Sequence, residues 1–211
     1  MKIALINGSP KIKDSNSGIL LEEVKQVIGD RAEITYVPCN KSQLTKETIE
    51  ELFTYDSFVI AFPLYVDGIP SHLLRVLQQL EEAITINSYK PVRIYGIANA
   101  GFYDAKQNRL ALRILRNWSD KAGCVWGQGL GFGAGGMLGY LKKVPAGSGP
   151  KKNLGSVLQE FTTNILEQRQ GENLYTTPNF SRFLYKLAAE HGWRQQVKSN
   201  GLKVRDLHSK R

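Results

Sequence analysis

Cysteine is scarce in this chain of 211 residues: only Cys39 and Cys124 occur, 85 positions apart. That spacing excludes both a paired thiolate metal site and the disulfide framework of small secreted domains, and it leaves two reduced thiols as the expectation. Long apolar runs are also missing. The strongest, Phe58 to Phe62, falls far short of the roughly 20 residues that cross a bilayer, so no integral membrane insertion is expected. The start, Met1-Lys2 followed by Ile3 to Ile6 and then a polar glycine turn, is too short an apolar stretch for a secretory signal, and cytoplasmic residence is the expectation. Histidine is limited to His72, His191 and His208, which form no catalytic triad pattern. No Gly-Lys-Ser/Thr follows the first glycine turn, so nucleoside triphosphate hydrolysis gains no support.

What is present is a chain 42% hydrophobic, enough for one sizeable core, with a formal charge of +9. The charge is uneven. From Pro178 onward there are eight Lys and Arg against Glu190 and Asp206, a balance of +6, which leaves +3 for the first 177 residues. The basic character belongs to the tail, and no nucleic-acid-binding motif accompanies it.

Along the chain, apolar runs alternate with helical spacing. Ile3 to Ile6 reads as a strand buried on both faces, and Leu20, Leu21, Val24, Val27 and Ile28 as a helix stopped by Gly29. Ala32 to Val37 alternates like a strand near a sheet edge, followed by a short segment carrying Leu44, Ile49, Leu52 and Phe53. Ser57 to Phe62 is the strongest buried strand, ended by Pro63. A helix opening near Pro70 carries Leu73, Leu77, Leu80 and Ile84 on one face. Val92 to Ala98 reads as a strand, and Ala111, Ile114, Leu115, Trp118 and Ala122 as a helix closed by Gly123.

In Val125 to Gly136, glycine recurs at every second position from Gly127 to Gly135. A strand there has one bare face open to a helix or ligand; a flexible glycine loop is the alternative. A loop from Tyr140 to Lys152 precedes the last core helix, marked by Leu154, Val157, Leu158, Phe161 and Ile165. The whole predicts a doubly wound, five-stranded parallel α/β sheet of order 2-1-3-4-5 over residues 1–170, with a basic helical extension over 171–211.

In that architecture a ligand sits beyond the carboxyl ends of the strands, beside the switch in strand order. Three loops end there. Asn7 to Gly18 is rich in hydroxyls and feeds a helix start, where free N–H groups and the helix dipole favour a phosphate; an ordinary helix cap is the plainer reading. Pro63-Leu64-Tyr65-Val66-Asp67-Gly68 offers an aromatic ring and apolar side chains to a planar heterocycle or to a subunit interface, and the two are compatible. Asn99 to Tyr103 is the third.

Gly8-Ser9-Pro10-Lys11 with Ser15-Asn16-Ser17, then Phe62 to Pro70 leading into a leucine-rich helix, then Asn99-Ala100-Gly101-Phe102-Tyr103, resemble the NADPH-dependent FMN reductase-like branch of the flavodoxin-like flavoproteins, which includes NAD(P)H:quinone-type oxidoreductases. The resemblance covers about residues 1–170. It implies FMN, with Ser9, Lys11, Ser15, Asn16 and Ser17 on the phosphate and Pro63, Leu64, Tyr65, Val66 and Asp67 against the ring system. Asn99, Gly101, Phe102 and Tyr103 would close the other side.

The implied chemistry is hydride transfer from NADPH or NADH, as transient donor, through the flavin to a small acceptor such as a quinone, nitro compound or flavin. No catalytic side chain and no metal are needed, because the cofactor carries the reaction. A homodimer or higher homo-oligomer is expected. A flavin-binding sensor and a flavodoxin-type electron carrier are the other readings, the latter disfavoured by the basic charge. No iron-sulfur cluster fits Cys39 and Cys124.

The tail, with Phe180, Phe183, Leu184, Leu187, Ala188 and His191 at helical spacing before Gly192-Trp193, is read as an appendage packing on its own domain or across a dimer. A helix docking on a membrane surface or a partner is the alternative.

Overall fold

A computed structural model describes residues 1–208, with side chains through residue 206. Strands β1 (Lys2–Asn7), β2 (Glu33–Pro38), β3 (Ser57–Pro63), β4 (Arg93–Asn99), β5 (Val125–Phe132) and β6 (Leu174–Thr176) form one sheet. Their order is β2-β1-β3-β4-β5-β6, and every pairing is parallel. The five expected strands take the expected order. The sixth corrects the expected count: its three residues pair only with Leu130 to Phe132, too short a stretch for alternation to be read.

Helices α1 (Asn16–Ile28) and α5 (Lys152–Leu166) bury their apolar stripes on one face of the sheet, with Leu20, Leu21, Val24, Leu158 and Phe161 meeting Ile3, Leu5, Val59 and Ile97. Helices α2 (Lys46–Leu52), α3 (Ser71–Asn87) and α4 (Arg109–Lys121) cover the other, where Leu73, Leu77, Leu80, Leu112 and Leu115 pack on Ala4, Ile6, Phe58 and Ile60. Because the central strands are covered on both sides, they read as continuous apolar runs. The edge strand β2 is only partly buried, which is why it alternates.

The glycines of β5 serve close approach of neighbouring chain. At Gly127 the register with β4 slips, with Ile94 opposite Trp126 and Tyr95 opposite Gln128, and the Tyr95 ring lies 2.5 Å from where a Cβ would stand. Beyond that bulge the bare positions Gly129 and Gly131 face Leu112, Asn173 and Tyr175. Gln128, buried in the same strand, donates to Glu172 O at 2.7 Å and accepts from Asn164 Nδ2 at 3.0 Å. The crossing chain and not a ligand fills the space that the missing side chains leave.

The chain divides into two compact units, Met1–Asn179 and a second beginning at Phe180. The second contains helix α6 (Arg182–Ser199), which runs through Gly192 instead of ending there, because an interior glycine costs a helix only about 1 kcal/mol. No residue of α6 is buried.

Candidate functional site

The three expected loops leave β1, β3 and β4 at the same sheet edge and are stitched to one another. Gly8 N–H donates to Ala61 O at 2.8 Å, and Leu64 N–H to Asn99 O at 2.8 Å. Asn99, 4% exposed, divides its side-chain amide between Phe62 O and Ser17 Oγ, each at 2.9 Å. One residue thus joins the end of β4 to the end of β3 and the start of α1. Gly8 lets this happen: a Cβ there would stand 2.4 Å from Leu73 of α3.

Within the first loop, Ser15 caps α1, its Oγ accepting from Gly18 N–H and from Asn7 Nδ2, both at 3.0 Å. Asn7 also donates to Tyr36 Oη on β2 and accepts from Ser9 N–H at 3.1 Å. Ser9 Oγ in turn accepts from Lys11 N–H at 3.3 Å. The buried hydroxyls of Ser9, Ser15 and Ser17 therefore all accept from the chain itself, and each retains its proton to donate. With the N–H groups of the first turn of α1, which have no carbonyl before them in the helix, they make a donor-rich floor suited to an anion such as a phosphoryl group. Lys11 is exposed at the rim and Asn16 is half-buried.

The second loop closes on itself. Tyr65 and Gly68 exchange backbone hydrogen bonds of 3.2 and 2.9 Å, with φ of 46° at Val66 and 58° at Asp67, the geometry of a type I′ turn. A β-branched residue in that conformation is strained by about 1–3 kcal/mol, and Val66 is fully exposed at the tip. Pro63 and Leu64 are half-buried below it, and Tyr65 and Asp67 are exposed. In the third loop Gly101 and Phe102 are exposed and Tyr103 is half-buried. The expected site residues thus split between a buried floor of Ser9, Ser15, Ser17 and Asn99 and an accessible apolar rim of Leu64, Tyr65, Val66 and Phe102.

The sequence reading missed the segment after β5. Ala134 N–H donates to Phe102 O at 2.6 Å and Gly135 N–H to Ala100 O at 2.7 Å, which brings the 3₁₀ turn Gly135–Leu141 beside the third loop. Lys142, just beyond it, pairs with Asp14 of the first loop. That hydrogen bond, followed by the lysine's charge, holds the Asp14 carboxyl below its ordinary range. Nine residues on, buried Lys151 pairs with buried Glu23 of α1.

An open groove of about 460 Å³ lies on the β2 flank of the first loop, with Asn7, Ile12, Asp14, Ser15, Gly18, Tyr36 and Lys142 among its walls. The second and third loops are not part of that lining. Nothing in the sequence marked Lys142, one of several lysines in a Pro/Gly/Lys loop. Tyr36 was visible only as one position of an alternating strand.

Among the described residues, no group of three or more His, Cys, Asp and Glu is placed to hold a metal ion. His72 Nε2, near the start of α3, is buried and has no hydrogen-bond partner.

No family model matches the chain, and no curated protein matches it significantly. Solved structures do resemble it. An NADH:FMN oxidoreductase in its apo form is 16% identical with a TM-score of 0.58, covering 81% of this chain and 91% of its own. An NADPH-quinone reductase from P. pentosaceus is 13% identical with a TM-score of 0.54, covering 81% of this chain and 99% of its own. A WrbA-like flavodoxin from Agrobacterium tumefaciens is 12% identical with a TM-score of 0.53, covering 80% of this chain and 99% of its own. At these identities the likeness is one of fold, and the fold of this chain is flavodoxin-like.

Proposed function

We propose that this chain is an FMN-dependent NAD(P)H oxidoreductase acting on a small acceptor such as a quinone, nitro compound or flavin. The observation that carries the reading is the donor-rich floor of the first loop, where Ser9, Ser15 and Ser17 accept from the chain and keep their protons for an anion. Two of the proteins that share the fold are an NADPH-quinone reductase and an NADH:FMN oxidoreductase, which supports the reaction class.

Bound FMN would supply the hydride chemistry, taking hydride from a reduced nicotinamide and passing it on. The chain's part is to bind and orient. Ser9, Ser15 and Ser17, with Asn16 at the helix start, would hold the phosphate, and Lys11 would add a cation from the rim. Pro63, Leu64, Tyr65, Val66 and Asp67 on one side and Asn99, Gly101, Phe102 and Tyr103 on the other would receive the ring system. The type I′ turn presents Tyr65 and Val66 without a flexible tip, so little ordering is needed on binding.

A second copy of the chain belongs to the same proposal. Tyr65, Val66 and Phe102, with Leu110 and Ile114 of α4, are large apolar residues left 37% exposed or more. A partner subunit covering them would also exclude water from the ring. Cytoplasmic residence is part of the same reading.

The test is spectroscopic. The purified protein titrated with FMN should quench its fluorescence at one equivalent per chain, and anaerobic NADPH or NADH should bleach the visible absorbance of the bound flavin. No FMN binding overturns the cofactor; FMN that binds and is reduced by neither nicotinamide overturns the oxidoreductase.

A further inference from the structure

The second unit differs in composition from the first. Helix α6 has no buried residue, yet it carries Phe183, Leu184, Leu187 and Trp193 at 68, 48, 46 and 62% exposure. Phe183, Leu184 and Leu187 stand at i, i+1 and i+4 and so share one side of the helix. Arg182, Lys186, Arg194 and Lys198 against Glu190 give the helix a charge of four minus one, or +3. Glu190 lies 3.9 Å from Lys186 and 4.0 Å from Arg194, distances at which exposed pairs bind weakly and leave the cations available. Beyond the helix Lys203 and Arg205 outnumber Asp206, and Leu202 is 55% exposed.

From this we infer that α6 is a membrane-surface anchor, which lies on an anionic lipid bilayer with Phe183, Leu184 and Leu187 at the headgroup boundary and its lysines and arginines on lipid phosphates. The charge decides the occupant. A second copy of this helix would bring +3 against +3, which repels, whereas an anionic surface is complementary. A nucleic acid would satisfy the charge but would leave Phe183, Leu184 and Leu187 in water. The long stems of Lys186, Arg194 and Lys198 let their charges reach phosphate while the helix lies flat. No described helix is long and apolar enough to cross a bilayer, so the helix lies on the surface instead of spanning it. Such an anchor would bring the catalytic unit to acceptors dissolved in the lipid; that consequence alone rests on the function proposed above.

Cosedimentation of the full chain with vesicles tests this without any flavin. Phosphatidylcholine vesicles should leave the protein in the supernatant, and vesicles containing phosphatidylglycerol should pellet it at low ionic strength. The double variant Phe183→Ser/Leu187→Ser should lose binding by at least about tenfold, since each buried CH₂ contributes roughly 0.8 kcal/mol. Arg194→Gln/Lys198→Gln should lose about as much, at roughly fivefold per charge, and added salt should weaken the native chain. All four positions are outside any core, so an unchanged far-UV spectrum and melting temperature will accompany the loss. Failure to pellet with anionic vesicles overturns the inference, as does binding that the apolar variant retains. Duplex DNA binding abolished by the charge variant, with no vesicle binding, would assign the helix to nucleic acid instead. Flavin titration of the same variants separates the two readings: anchor variants that bind FMN normally but not lipid support the anchor whatever the reaction proves to be.

Discussion

Asn99 and Lys142 mark the two limits of reading single residues from the sequence: the partners of one and the position of the other. Asn99 was picked out by its place after a buried strand, but its hydrogen bonds to Ser17 and Phe62 span 82 and 37 positions and show in no local pattern. Lys142 lies 128 positions from Asp14 and resembles any other loop lysine until the fold joins the two. Their pairing has a consequence for anion binding. A carboxylate in a loop that faces a phosphate repels it unless neutralised, and Lys142 is the neutralising group. On the function proposed above, Lys142→Gln should weaken FMN binding severalfold, Asp14→Asn should strengthen it, and the Lys142→Gln penalty should shrink in the Asp14→Asn background. Fluorescence titration of the four proteins checks the cycle; equal penalties in both backgrounds would show the pair to be uncoupled. The sign of the pH effect follows. Because Lys142 holds the Asp14 carboxyl below its usual 3.8, the pair is intact above that value and is lost as pH falls through the lowered one.

Most elements could be read because buried parallel strands and amphipathic helices have different periods, and most switches of period fall at a glycine or proline; the exception is Phe53 to Asp56 between α2 and β3. The chain leaves α1 at Gly29, with φ of 57°, and follows α4 with Gly123, with φ of 72°. Strand β5 could be read only in part. Its alternation of glycine signalled a bare face, but what fills that face comes from chain that is not adjacent in sequence. Gly133 is the sharpest instance. A Cβ there would stand 2.1 Å from Tyr103 O and 2.8 Å from Ala105 N, both backbone atoms that cannot turn aside. Gly133→Ala should therefore cost about 1–3 kcal/mol in denaturant unfolding. The same substitution at Gly139, where nothing lies within 4 Å, should change stability by less than about 0.5 kcal/mol. Equal effects at the two sites would mean that the third loop yields freely. Tyr103 belongs to that loop, so on the function proposed above the Gly133 variant should also weaken FMN binding.

At the scale of the whole molecule, the two cysteines report on how the sheet comes apart. Cys39 follows β2 at one edge and is 1% exposed; Cys124 precedes β5 near the other and is 9% exposed. Scarcity alone suggested two reduced thiols, and the structure adds that they are poorly reactive: burial pushes Cys39 up to about 12 and Cys124 up to about 11, from an ordinary 9.0. A thiol whose folded value is raised stabilises the protein below its unfolded value and ceases to do so as pH rises through the folded one. Unfolding midpoints should therefore fall as pH climbs past 9 toward 11, the first folded value reached. At about pH 8, where a free thiol is partly ionised, neither cysteine of the native protein should react with a thiol reagent on mixing, and both should react in denaturant. The order in which they open under native conditions then identifies the unit of unfolding. Strand β2 is an edge strand paired on one side, whereas the first residues of β5 pair with β4 and lie far from the short β6. If the sheet opens as one cooperative body, both thiols will be labelled at one rate. If β2 and its flanking turn detach first, Cys39 will react ahead of Cys124, and the Asn7 to Tyr36 link across that edge will be the contact that controls it. Tyr36→Phe should then speed Cys39 labelling without changing that of Cys124, and equal acceleration at both would assign the opening to the whole sheet.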